Sequence, residues 1–112
     1  LGERKSEWDL VDDLMEELSG KQRRYLRGQG NPIKPTVYLG KDGISDALLN
    51  SLKEAFNNRE LVKVRIEKSC ELERKEAGRL LAQAAAAHMV QVLGNTLLLY
   101  RPDPDKPEVK LP

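Results

Sequence analysis

An α/β sandwich, with helices covering a four-stranded mixed sheet, is the fold this sequence predicts, and three observations predict it. Apolar residues switch between helical spacing and shorter strand-like runs in the order helix, strand, helix, strand, helix, strand, strand. The first two strands each lead into a helix-length segment, which calls for crossover connections, and the last two are joined by Gly94-Asn95, which calls for antiparallel pairing. At 112 residues the chain builds one core rather than two.

An acidic segment comes first. Residues 1–18 carry seven carboxylates against Arg4 and Lys5, and Trp8, Val11, Leu14 or Met15, and Leu18 recur there at helical spacing. This predicts a short amphipathic helix over about residues 8–18, an extension lying outside the domain proper. Three uses are open to it: packing its apolar stripe on the domain, pairing with a partner protein, or shielding a basic surface with its acids.

The domain is expected over residues 19–102. Ser19 is suited to cap a helix running to about Arg27, where Gly28, Gly30, Asn31 and Pro32 stop it. Residues 36–39 form the first strand, with Pro35 tolerated at its leading edge. Ile44, Leu48, Leu52 and Phe56 recur every four residues and give the next helix one apolar stripe. Leu61, Val62, Val64 and Ile66 make the second strand, with Lys63, Arg65 and Glu67 alternating outward. After a turn near Ser69 and Cys70, Ala77, Leu80, Leu81 and Ala84 mark a helix whose alanines permit close approach to a sheet. Residues 89–93 and 96–100 are the closing hairpin, and residues 103–112, with Pro104 and Pro107, read as an extended tail.

Charge is divided along the chain more than the net value of +1 suggests. Residues 19–41 hold Lys21, Arg23, Arg24, Arg27, Lys34 and Lys41 without a single acid, a local bias that attracts polyanions. No run of about 18 apolar residues exists and no leader pattern opens the chain, so a membrane span is not expected and a cytoplasmic location is. Cys70 is the only cysteine, which leaves neither an internal disulfide nor a cysteine metal cluster. No cofactor or metal set is expected, and no enzyme: His88 stands alone where helix gives way to strand, Cys70 has no histidine in its stretch, and Glu71, Glu73 and Glu76 sit where carboxylates favour a helix dipole.

Between the first strand and the following helix lies Gly40-Lys41-Asp42-Gly43. Two glycines permit a tight reversal, and they also let a phosphate approach backbone N–H groups near a helix start. A nucleotide-binding fingerprint is absent, because there is no G-x-G-x-x-G and Lys41 sits between the glycines rather than before a Ser or Thr. A G-x-x-G turn of this kind also clamps nucleic-acid backbone in KH modules. Asp42 suits that use only if it points away or caps the next helix. Tyr25 and Tyr38 are candidates for stacking on bases, although each sits in a periodic element where core packing is the competing expectation.

Several separated stretches together carry a resemblance: LSGKQRRYLR at 18–27, NPIKP at 31–35, VYLGKDGI at 37–44, ELVKVR at 60–65 and VQVLGNTLLLYR at 90–101. In this order they resemble the CRM domain family (chloroplast RNA splicing and ribosome maturation), which includes the YhbY-like RNA-binding proteins. The resemblance implies a fold similar to the C-terminal domain of translation initiation factor three. It also implies a non-catalytic RNA-binding role, with precursor ribosomal RNA of the large subunit or a pre-ribosomal particle as partner. Carried onto this sequence, the RNA-binding set is Lys21, Arg23, Arg24, Arg27 and Lys34 with the loop residues Gly40, Lys41, Asp42 and Gly43. Asn31-Pro32 lacks the histidine often found before the Ile-Lys-Pro part of the pattern. The alternative is a protein-interaction or intron-splicing module that recruits partners through the acidic N-terminal helix.

Overall fold

The computed structural model describes residues 17–105 and 107–112. The predicted amphipathic helix over residues 8–18 lies almost wholly outside them. Seven elements follow in the expected order: α1 (Gly20–Gly30), β1 (Val37–Leu39), α2 (Asp46–Asn58), β2 (Leu61–Ile66), α3 (Arg74–Ala85), β3 (His88–Leu93) and β4 (Thr96–Tyr100).

The four strands form one mixed sheet in the order β1-β2-β4-β3. β1 and β2 pair in parallel, as the crossover through α2 requires, and β4 pairs antiparallel with both β2 and β3. The hairpin strand β4 is thus inserted between the two strands that α3 connects. Spacing along the chain predicted the units and left this insertion undecided.

Alternation along each strand sends side chains to two different layers. Val37, Leu39, Val62, Val64, Ile66, Leu97 and Leu99 face α2 and α3 and close the larger core with Leu52, Phe56, Ala77 and Leu81. On the opposite face Leu61, Leu98 and Tyr100 join Val90 and Leu26 of α1 in a smaller cluster, against which Leu18, Ile33, Val109 and Leu111 pack.

Local chemistry explains how α1 is set. Ser19 and Gln22 form a reciprocal capping box, each side chain accepting the other's backbone N–H. The helix runs beyond Arg27 to Gly30, so the glycines predicted to end it lie within its last turn. Tertiary contact outweighs their poor propensity, on the order of 1 kcal/mol each: a Cβ at Gly30 would fall 2.4 Å from a Leu98 methyl, so glycine lets α1 lie close on the sheet. Arg23 adds a tether, donating from Nη1 to the Met89 carbonyl at 2.7 Å.

Residues 107–112 have no regular secondary structure, but they are docked on the domain. The Glu60 carboxylate, only 2 % exposed, accepts the backbone N–H groups of Asp103, Glu108 and Val109. Three amide donors satisfy the buried charge while Val109 and Leu111 reach the smaller cluster. Burial first, and the Glu60 charge second, raise the Tyr100 phenol above its ordinary range. Tyr100 therefore stays neutral, with its ring stacked on His88 at 6.2 Å between centroids.

Candidate nucleic-acid interface

The Gly40–Gly43 loop is a closed turn. Gly43 N–H donates to the Gly40 carbonyl at 3.0 Å, and Gly43 has φ +64°, the left-handed region in which glycine is unstrained. Lys41 and Asp42 occupy the two corner positions and are exposed. Asp42 does not cap α2; Ser45 does, its Oγ accepting Leu48 N–H at 3.2 Å. The loop therefore presents one ammonium and one carboxylate from a rigid base.

Parallel pairing of β1 and β2 brings their following segments together, since both leave the sheet at the same end. Ser69 stands beside Gly40, and Glu67 N–H donates to the Leu39 carbonyl at 2.8 Å. The β3–β4 turn reaches this end too: Asn95, Arg65, Lys68 and Ser69 line one shallow depression. A second depression runs from Tyr38 along the Gly40–Gly43 loop and includes Glu67.

The basic helix packs across β2, β4 and β3. With about 3.6 residues per turn, Arg23, Leu26 and Gly30 share the flank that lies on the sheet. Gln22 and Gln29 share the flank beside the tail, where Gln22 Nε2 donates to the Pro112 carbonyl at 3.4 Å and Gln29 lines a depression with Glu108. Arg27, and one turn earlier Arg24, fall on the flank away from the tail, toward the uncovered half of the sheet. Lys21, Arg24 and Arg27 are all exposed and follow one another at three-residue steps, so they form a ridge. Arg23 is half-buried and tethered, and Lys34 is exposed in the segment leading to β1.

Core packing does not claim either candidate tyrosine: Tyr25 is 38 % and Tyr38 55 % exposed. Tyr25 points off the helix, and Tyr38 stands on the sheet face opposite the larger core. Lys63 and Arg65 are on that same face and were not in the expected binding set. Their signal was present in the outward alternation of β2, but only the pairing of β2 beside β1 brings them to Tyr38.

The two side chains weighed for catalysis, Cys70 and His88, are not brought together. Cys70 follows β2 at the loop end, whereas His88 begins β3 at the far end of the sheet. Among the described residues no three His, Cys, Asp or Glu side chains are grouped to hold a metal ion. No described helix is long and apolar enough to cross a membrane.

The CRS1 / YhbY (CRM) domain model matches residues 18–101. The chain belongs to the CRM family. Members of this family are non-catalytic RNA-binding modules. The CRM chain is 33 % identical over 95 residues to the Bacillus subtilis protein named Probable RNA-binding protein YqeI, covering 85 % of this chain and 99 % of that one. A Haemophilus influenzae protein named RNA-binding protein is 31 % identical over 98 residues, covering 88 % and 98 % of the two chains. The solution structure of a Staphylococcus aureus protein superposes with a TM-score of 0.74 at 34 % identity, covering 86 % of this chain and all of that one. The family match begins at Leu18, after the acidic segment.

Proposed function

We infer that this CRM domain binds structured RNA without acting on it chemically, through the α1 ridge and the Gly40–Gly43 loop. The observation that supports the reading is the acid-free stretch from residue 19 to 41, whose Lys21, Arg24, Arg27, Lys34 and Lys41 side chains are all exposed. Phosphates spaced along an RNA backbone meet that charge distribution, and Lys34 lies on the stretch that joins its two parts. Arg23 serves this surface by holding α1 in place through Met89. On this reading Lys41 is the phosphate contact and the glycines allow close approach, while the Asp42 carboxylate, an acceptor only, suits ribose or base donors rather than phosphate.

Precursor RNA of the large ribosomal subunit is the target we assign, in the cytoplasm, on the strength of the family's association with ribosome maturation. Crosslinking in cells followed by sequencing tests it, comparing wild type with an Arg24→Ala/Arg27→Ala/Lys41→Ala variant after both are shown to fold. Discrete wild-type sites in large-subunit precursor RNA, lost in the variant, are the expected result. Sites in introns would move the assignment to splicing, and equal diffuse signal from both proteins would overturn the basic surface.

A further inference from the structure

One row of side chains crosses the whole sheet on the face that α1 only half covers. Tyr38 pairs with Arg65, Arg65 with Thr96, and Thr96 with Leu93, so four neighbouring strands each contribute one residue to a single line. Four strands at roughly 4.8 Å spacing make that line about 14 Å long. Lys63 stands two residues back from Arg65 on the same face.

This row departs from the rest of the sheet in exposure. Leu93 is 61 % and Tyr38 55 % exposed, the largest values among the exposed large apolar side chains of the described residues, and they stand at its two ends. The Tyr38 ring is nonetheless held: its hydroxyl donates to the Pro35 carbonyl at 3.3 Å. A flat ring fixed at the surface, on a strand whose register partner carries an arginine, offers a π-face with a positive charge on the neighbouring strand. Paired bases inside a duplex cannot reach such a ring, whereas an unpaired base stacks on it and sends its phosphate to Arg65 or Lys63. Asp42 and Glu67 line a depression that runs from Tyr38 along the Gly40–Gly43 loop to α2, where carboxylates disfavour phosphate and suit base amino or ribose hydroxyl donors.

We propose that this row is a second RNA-binding element, in which Tyr38 stacks on an unpaired base and Arg65 holds the adjoining phosphate. The inference rests on the RNA reading above and narrows its substrate to a helix flanked by an unpaired segment. The α1 ridge and the Lys41 loop take the helical part, and the open sheet takes the strand.

Fluorescence anisotropy of the full chain with two RNAs tests it: a blunt hairpin, and the same hairpin with a short single-stranded extension carrying 2-aminopurine. For wild type the extension is expected to tighten binding about tenfold and to quench the 2-aminopurine, within the range that base–aromatic stacking supplies. Tyr38→Ala is expected to abolish the gain and the quench, leave the blunt hairpin's affinity unchanged, and keep the same salt dependence, because no charge is removed. Tyr38→Phe restores the gain. If Tyr38→Ala binds the extended RNA as wild type does, or weakens both RNAs equally, the row is not a base platform and the basic-surface reading stands without it. Failure of wild type to bind either RNA would overturn that reading and this inference with it.

Discussion

The two faces of the sheet are built from the same strands and have opposite fates. On one, Val62, Val64 and Ile66 of β2 disappear beneath α2 and α3 with Leu97 and Leu99 of β4. On the other, Leu61 is covered by α1 and the tail, while Lys63 is half-buried and Arg65 is exposed. A single helix is too narrow to cover a four-stranded sheet, so the second face has a closed half and an open one. Stability is invested in the first face and the closed half, and the proposed RNA contacts of the sheet lie in what is left uncovered. Neighbouring residues of one strand therefore differ in burial, Val64 being buried and Arg65 exposed.

Val64 and Arg65 provide the sharpest way to break this comparison. Val64→Ala is expected to destabilise the domain by about 2 kcal/mol, from lost apolar burial and the cavity left beneath two helices. Arg65→Ala should change stability by less than about 0.5 kcal/mol, because its side chain is exposed. Urea unfolding of both variants checks the pair; equal losses would dissolve the distinction between the faces.

At the closed half, Glu60→Gln is expected to cost about 1–3 kcal/mol, since an amide cannot accept at both of its terminal atoms and a buried backbone N–H loses its partner. Faster proteolysis of residues 103–112 should accompany the loss. A variant with unchanged stability and tail protection would show that the carboxylate does not anchor the tail.

On the open half the expected effect is in salt dependence rather than stability. Arg24→Ala/Arg27→Ala/Lys41→Ala should leave the urea midpoint nearly unchanged and reduce the magnitude of the log–log salt slope for RNA by about 2–3, as befits the loss of roughly three phosphate contacts. A weakened affinity with an unchanged slope would place these side chains away from the phosphates.

The smallest expected effect belongs to the start of α3. Glu73 caps the helix by accepting Glu76 N–H at 3.0 Å, and backbone donors at Lys75 and Glu76 hold its carboxyl below its usual value of 4.5. A lowered folded-state value stabilises the fold above the ordinary glutamate range and loses that contribution as pH falls through the folded value. Glu73→Gln keeps an acceptor and removes the charge, so its unfolding midpoint should vary slightly less with pH on the acid side of 4.5 than that of wild type. Since Glu73 is on neither sheet face, RNA binding at neutral pH should not respond.

Much of this division was legible in advance, and the misses have a common cause. Periodicity placed all seven described elements, and the Gly94-Asn95 signal placed the hairpin, because backbone hydrogen bonding and side-chain alternation are local. The end of α1 was misplaced because Gly28 and Gly30 read as breakers until Leu98 is known to lie against Gly30. The basic run was visible as composition, yet its four helix residues look equivalent there. Only the docking of Leu26 on the sheet turns Arg23 inward to Met89 and leaves Lys21, Arg24 and Arg27 as the ridge.

By itself the sequence determined the element order, the acid-free basic stretch, the turn at residues 40–43 and the family to which the chain belongs. Each of these depends on residues close together in the chain or on motifs in fixed order. The tertiary structure decided that β4 lies between β2 and β3, that the tail closes over Glu60, and that Tyr38, Arg65, Thr96 and Leu93 stand in one line. Those outcomes depend on which strand edges and apolar faces meet across long separations, where the competing pairings differ in packing and hardly at all in local pattern.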